Sequence, residues 1–137
     1  MEEQGLRYNE GKLQWSLMHW KSLEPMIQVL MYGAHKYSIF EDDKGNKIKG
    51  NEVSVVDSKQ LKLISSGRDN WKKGFPETEL WDSFLRHTAA ILDGEELDPE
   101  SGLSHIGHQF CNLMFISYAQ AKKKNVSNEI DQMLSTI

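Results

Sequence analysis

From residue 23 onward the apolar positions recur in steps of three and four. Met26, Val29, Leu30, Gly33 and Tyr37 share one helical face, so the spacing predicts a first helix over 23–37. Ser22 stands where an N-cap oxygen is wanted, and Glu24 and Pro25 fill a first turn that favours an acid and a proline. A second helix opens at Pro76 and Thr78, with Thr78 as N-cap. It turns Leu80, Phe84, His87, Thr88 and Ile91 inward and stops at Gly94. A third starts between Ser101 and Ser104 and runs to about Lys124, with Leu103, Ile106, Phe110, Leu113 and Ser117 as its inner stripe. Lys122, Lys123 and Lys124 suit the negative end of its dipole. Ser127 then caps a short C-terminal helix over 126–137, whose Ile130, Met133, Leu134 and Ile137 face is expected to dock on a partner subunit.

Two stretches break this rhythm. Residues 1–20 have no clean period and are expected to form a mostly extended arm laid over the body. Residues 39–67 form an irregular insertion. Glu41–Asn46 and Gly50–Asn51 carry turn chemistry, and Val53, Val55 and Val56 suit a short strand, giving a small β-hairpin. Leu61, Leu63 and Ile64 are expected to form a helical turn or to pack on the body. The fold class is therefore mainly α: one domain over 1–137, a compact helical bundle with an insertion that covers something or pairs with another chain.

Composition narrows the classes. With 39% hydrophobic and 26% charged residues in 137, wholesale disorder is excluded. The net charge of -4 argues against a DNA or RNA binder, which would show a basic excess, yet a local basic cluster still suits a small anion. The lone Cys111 forms no internal disulfide, so a reducing cytoplasm is expected. No apolar run approaches the roughly 18 residues of a membrane span.

The candidate chemistry lies between Arg86 and Asn112. His105, His108 and Asn112 fall at i, i+3 and i+7 of the third helix and project from one face, away from Ile106, Phe110 and Leu113. Just before them come Glu95, Glu96, Asp98 and Glu100, and His87 points from the preceding antiparallel helix. Imidazoles with one or two carboxylates suit a divalent metal such as Mn, Fe, Zn or Ni, able to polarise a phosphoryl oxygen. The bland alternatives are a core histidine at His87, solvated loop acids, and an Asn112 that merely bridges helices. A second group is basic and aromatic. Arg68, Asn70, Trp71 and Lys73 lie in a glycine-flanked loop, Lys36 and Tyr37 end the first helix, and Arg7, Tyr8 and Lys12 lie in the arm. Such groups grip phosphate and stack a base, or else they are anchoring aromatics and solubilising lysines. Cys111, among Phe110, Leu113 and Met114, reads as a small core residue.

The runs Arg7–Lys12, Tyr32–Tyr37, Arg68–Trp71 and Leu85–His87 lead in order to G-E-x-x-D-x-E-S-G-x-x-H-x-x-H from Gly94 to His108. This pattern resembles the phage-borne dATP/dGTP diphosphohydrolase N-terminal family, over most of 7–37 and 68–116. The resemblance implies a helical, metal-dependent enzyme that cleaves a purine deoxynucleoside triphosphate to monophosphate and pyrophosphate, in the host cytoplasm if phage-encoded. The matching positions are Lys12, Lys36, Tyr37, Asn70, Trp71, Arg86, His87, Glu95, Asp98, Glu100, His105, His108 and Asn112.

Roles are assigned by chemistry. His87, Glu95, Asp98, His105 and His108 are expected to hold the metal, with Mn or Mg favoured for phosphate chemistry and Zn, Fe or Ni compatible. Glu95, Asp98 or Glu100 is expected to act as base, and Arg7, Tyr8, Lys12, Lys36, Tyr37, Asn70, Trp71, Lys73, Arg86 and Asn112 to hold the nucleotide. The alternative is a phage protein that binds and sequesters a signalling nucleotide of host immunity without cleaving it. A homo-oligomer is expected in either case, because an apolar terminal face and an insertion often complete a pocket between subunits.

Overall fold

In a computed structural model describing residues 3–135, three helices form the body. They are α1 (Glu24–Lys36), α3 (Glu77–Leu92) and α4 (His105–Ser135), with a four-residue α2 (Val55–Ser58) in the insertion. α4 packs on both α3 and α1, so the core lies along its inner side. Mainly α is the observed class.

α4 packs by its small and polar face, the reverse of the expected stripe. Gly107, Cys111 and Ile116 are buried together with His105 and Asn112, whereas Ile106 and Leu113 are exposed. The physical reason is that this face loses little by leaving water. Its polar groups are hydrogen-bonded, and Gly107 and Cys111 let α1 come close. The Cys111 thiol donates to the Met26 carbonyl at 3.4 Å, and burial pushes its pKa up to about 12. Native protein at pH 8 is therefore expected to resist an aromatic disulfide reagent that labels the denatured chain at once; equally fast native labelling would contradict this burial.

Several local expectations change. α1 begins without a side-chain cap from Ser22, and α3 is preceded by Pro76 rather than capped by Thr78. No break occurs near residue 127: α4 runs on for 31 residues, so Lys122–Lys124 are mid-helix and the separate C-terminal helix does not exist. Thr136 and Ile137, and with them the last position of the expected docking face, lie outside the described residues. α4 spans about 46 Å at helical rise, which carries its last turns past the ends of α1 and α3. The arm does not lie on the body either, since residues 3–17 are exposed and only short 3-10 turns at Trp15–Leu17 and Trp20–Leu23 interrupt it. Without a period it offers no face to bury.

The insertion holds a three-stranded antiparallel sheet in the order β2-β1-β3, with β1 Ile39–Glu41, β2 Lys47–Lys49 and β3 Lys62–Ser65. Asp42 makes the β1–β2 turn by accepting the backbone N–H of Lys44 and Asn46. Val53 is extended, but Val55 and Val56 are helical, because the Ser54 hydroxyl caps α2 at the Asp57 N–H, 3.0 Å. Leu63 and Ile64 form the exposed edge strand β3 instead of a helical turn. Both ends of the excursion are fastened to α1: the buried Ser38 hydroxyl donates to the Ala34 carbonyl at 2.7 Å and accepts from Gly67 N–H at 2.9 Å. The loop from Tyr37 to Arg68 thus leaves and returns at one point. That closure keeps Lys36, Tyr37 and Arg68 together. Among the described residues no helix is long and apolar enough to cross a membrane.

Candidate active site

The two ends of the Gly94–Ser104 loop are fixed by backbone chemistry. Gly94, at φ 90°, ends α3 with its N–H on Ile91 and the next N–H on Ala90, a Schellman close that turns Glu95 inward. The backbone then doubles back, with Asp98 N–H on the Leu103 carbonyl at 2.7 Å and His105 N–H on the Glu96 carbonyl at 3.1 Å. Gly102, at φ 69°, occupies the left-handed corner. Thus the glycines of the motif set the path, and its acids are delivered to the start of α4.

α3 and α4 run antiparallel and face each other through a ladder of polar pairs. Asn112 Nδ2 donates to Ser83 Oγ at 3.1 Å and Gln109 Nε2 to Thr88 Oγ1 at 2.6 Å. At the loop end, His87 Nδ1 and His105 Nδ1 lie 2.7 Å apart. His105 Nε2 is 2.8 Å from Glu95 Oε1, and a neutral ring that donates there has Nδ1 left as acceptor. His108 stacks on His87 at 4.6 Å between ring centroids, and its Nε2 meets Ser101 Oγ at 2.7 Å.

Ligand atoms of His87, Asp98 and His105 converge within 4.8 Å of one another. Nitrogens on adjacent corners around a metal at about 2.1 Å sit roughly 3.0–3.4 Å apart, so the His87 and His105 nitrogens, hydrogen-bonded at 2.7 Å, need to part by only a few tenths of an ångström to admit an ion. Two imidazoles and one carboxylate therefore fit a divalent cation. Glu95, which touches the far nitrogen of His105, has the geometry of an outer partner that orients a ligating ring.

The electrostatics agree with lone pairs kept available. Burial, then the neighbouring His108 and His105, hold the His87 pKa below its ordinary value, and burial likewise lowers His108. For Asp98, burial pulls upward but is outweighed by the Ser101 N–H and hydroxyl and by His108 and His87, so the carboxyl is lowered. Lys36 is raised, chiefly by its 3.0 Å bond to Glu100, with Tyr37 and Tyr32 adding to it. Its ammonium also lies 5.8 Å from the Tyr32 ring centroid and 5.6 Å from that of Tyr37.

All of these groups except the Gln109–Thr88 pair line one cleft of about 660 Å³ between α1, α3, α4 and the loops. Of the residues expected from sequence, His87, Glu95, Asp98, Glu100, His105, His108, Lys36, Tyr37, Asn70, Trp71, Arg86 and Asn112 line it. Arg7, Tyr8, Lys12 and Lys73 do not. Arg68, from the same basic loop, lines it too, and the cleft also takes in Tyr32, Phe75, Glu79, Ser83, Ser101 and Phe115, which the sequence pattern did not assign to the site. Ser83 and Glu79 continue the His87 stripe one and two turns up α3, at i−4 and i−8, so extending that stripe would have found them. Trp71 stacks on Phe115 at 4.9 Å and takes Tyr118 edge-on at 4.9 Å, forming the far wall.

A family model described as dATP/dGTP diphosphohydrolase, N-terminal, matches residues 2–129. The chain belongs to this family. It is also similar to a protein of Salmonella phage PMBT28 named dATP/dGTP diphosphohydrolase, at 27% identity over 112 residues. That match covers 82% of this chain and only 28% of the relative, so the chain spans less than a third of that protein's length. No solved structure gives a significant match.

Proposed function

We propose that this dATP/dGTP diphosphohydrolase-family chain hydrolyses a purine deoxynucleoside triphosphate to monophosphate and pyrophosphate, with a divalent metal held by His87, Asp98 and His105. One observation carries the reading: those three ligand sets converge in the same cleft that presents Lys36, Arg68 and Arg86 and ends in an aromatic wall. Mn or Mg is the favoured ion. Such an ion supplies neutralisation of phosphate charge and lowers the pKa of water.

The chain's own residues do the rest. Glu95 holds the His105 ring by its Nε2–H, and Ser101 holds His108. Lys36, Arg68 and Arg86 bind the β- and γ-phosphates. Lys36 then exchanges its Glu100 partner for a phosphate oxygen, which frees Glu100 to take a proton from the attacking water. Glu95 is occupied by His105, and Asp98 faces the imidazoles, so Glu100 is the acid best placed for that role. The water oxygen bonds to the α-phosphorus, the bond to the α–β bridging oxygen breaks, and pyrophosphate leaves.

Kinetics separate these roles. Lys36→Ala is expected to raise KM with a smaller loss in kcat, and Glu100→Gln to lower kcat with KM little changed. Neither change should matter for folding, since the Glu100 side chain is 72% exposed and such pairs contribute at most about 1 kcal/mol. Chelation should stop turnover and Mn should restore it; turnover that persists in chelator would overturn the metal assignment.

A further inference from the structure

We infer that Glu79 reads the Watson–Crick edge of guanine at the aromatic end of the cleft and makes the site guanine-selective, an inference that rests on the nucleotide reading above. The α3–α4 ladder sets an order along the cleft. His87 meets His105 and His108 at the metal end, Ser83 meets Asn112 one turn further, and Glu79 comes one turn beyond that. The eight residues from His87 to Glu79 rise about 12 Å, the order of length of a deoxynucleoside laid out from its α-phosphate to the far edge of its base. At the Glu79 level the wall is aromatic, with Phe115 between Trp71 at 4.9 Å and Phe75 at 6.0 Å.

The chemistry of Glu79 then selects the base. Two residues earlier, Glu77 is clasped by Gln120 at 3.0 Å and Lys123 at 3.6 Å. Glu79 is exposed on the lining of the cleft, and its carboxylate has no ion pair and no side-chain hydrogen bond among the described residues. An ionised carboxylate only accepts hydrogen bonds and repels phosphate, so it opposes an anionic ligand unless donors are brought to it. Guanine brings two, N1–H and N2–H, side by side against the two carboxylate oxygens. Adenine sets the lone pair of N1 beside its single amino group and meets the carboxylate with a repulsion. Hypoxanthine keeps N1–H but lacks the 2-amino group, so it makes half the contact.

Equilibrium binding of α,β-methylene analogues of dGTP, dATP and dITP to the intact chain with Mn tests this, because the methylene bridge prevents cleavage. The dGTP analogue is expected to bind roughly tenfold to a hundredfold more tightly than the dATP analogue, with dITP between them. Glu79→Gln should remove most of that preference while leaving dATP-analogue binding unchanged or improved. Equal binding of all three by the unaltered chain, or an equal loss of all three in Glu79→Gln, would overturn the guanine assignment while the nucleotide reading stands. No binding by any analogue would overturn both.

Discussion

Replacing His87 with alanine is expected to abolish metal-dependent turnover, and Glu95→Gln to cost only about tenfold to a hundredfold in metal affinity. The two substitutions differ because the two residues touch the site differently. His87 offers a ring nitrogen directly to the point where Asp98 and His105 converge, so its loss leaves a set of one imidazole and one carboxylate. Glu95 acts through His105 Nε2, and glutamine still offers a carbonyl oxygen to that N–H. His87 is only half-buried, so the alanine variant should fold, with its far-ultraviolet circular dichroism retained. Calorimetric titration with Mn, alongside activity, checks both. Equal losses in the two variants would put Glu95 among the direct ligands, and full metal affinity in His87→Ala would remove the centre from this place.

The second large effect is on stability. Gly107→Ala is expected to destabilise the fold by roughly 1–3 kcal/mol. A Cβ at this position would lie 2.8 Å from the Pro25 carbonyl carbon and 3.1 Å from Val29 Cγ2. The first of these is backbone and cannot rotate aside, so α1 and α4 must separate. Alanine's better helix propensity, up to about 1 kcal/mol, offsets only part of that. Gly33→Ala is the comparison: it too is helical, but nothing lies within 4 Å of its Cβ, so it should be neutral or stabilising. Chemical denaturation of both variants decides it. Separation of α1 from α4 should also raise KM, because α1 carries Lys36 to Glu100 across the cleft. Equal stabilities for the two alanine variants would contradict the close α1–α4 contact.

What the chain reveals before folding depends on whether a feature is local. α1 and the stop at Gly94 are legible because spacing, a proline in the first turn and a left-handed glycine are all short-range signals. The acidic loop and the histidine face of α4 are legible for the same reason, since i, i+3 and i+7 fix one side of a helix. Which side turns inward is not local. Ile106 and Leu113 make the more hydrophobic stripe, yet α4 buries Gly107, Cys111, His105 and Asn112, because α3 supplies hydrogen-bond partners and α1 needs the space over Gly107. In the same way Val55 and Val56 suit a strand by propensity, but the Ser54 cap decides otherwise. Glu79 and Ser83 escape notice because a lone acid and a lone serine carry no motif; their place on the His87 stripe is local, but what they face, Asn112 and the aromatic wall, is set by the fold.

The most direct measurement incubates the purified chain with dATP and dGTP and Mn or Mg, removes the protein by filtration, and identifies the nucleotides in the filtrate and in the heat-denatured retentate by mass spectrometry. Deoxynucleoside monophosphate and pyrophosphate in the filtrate, produced in equal amounts and abolished by His87→Ala, are the predicted result. Intact triphosphate missing from the filtrate and released from the retentate would contradict it, and would make the cleft a device for holding nucleotides rather than cleaving them.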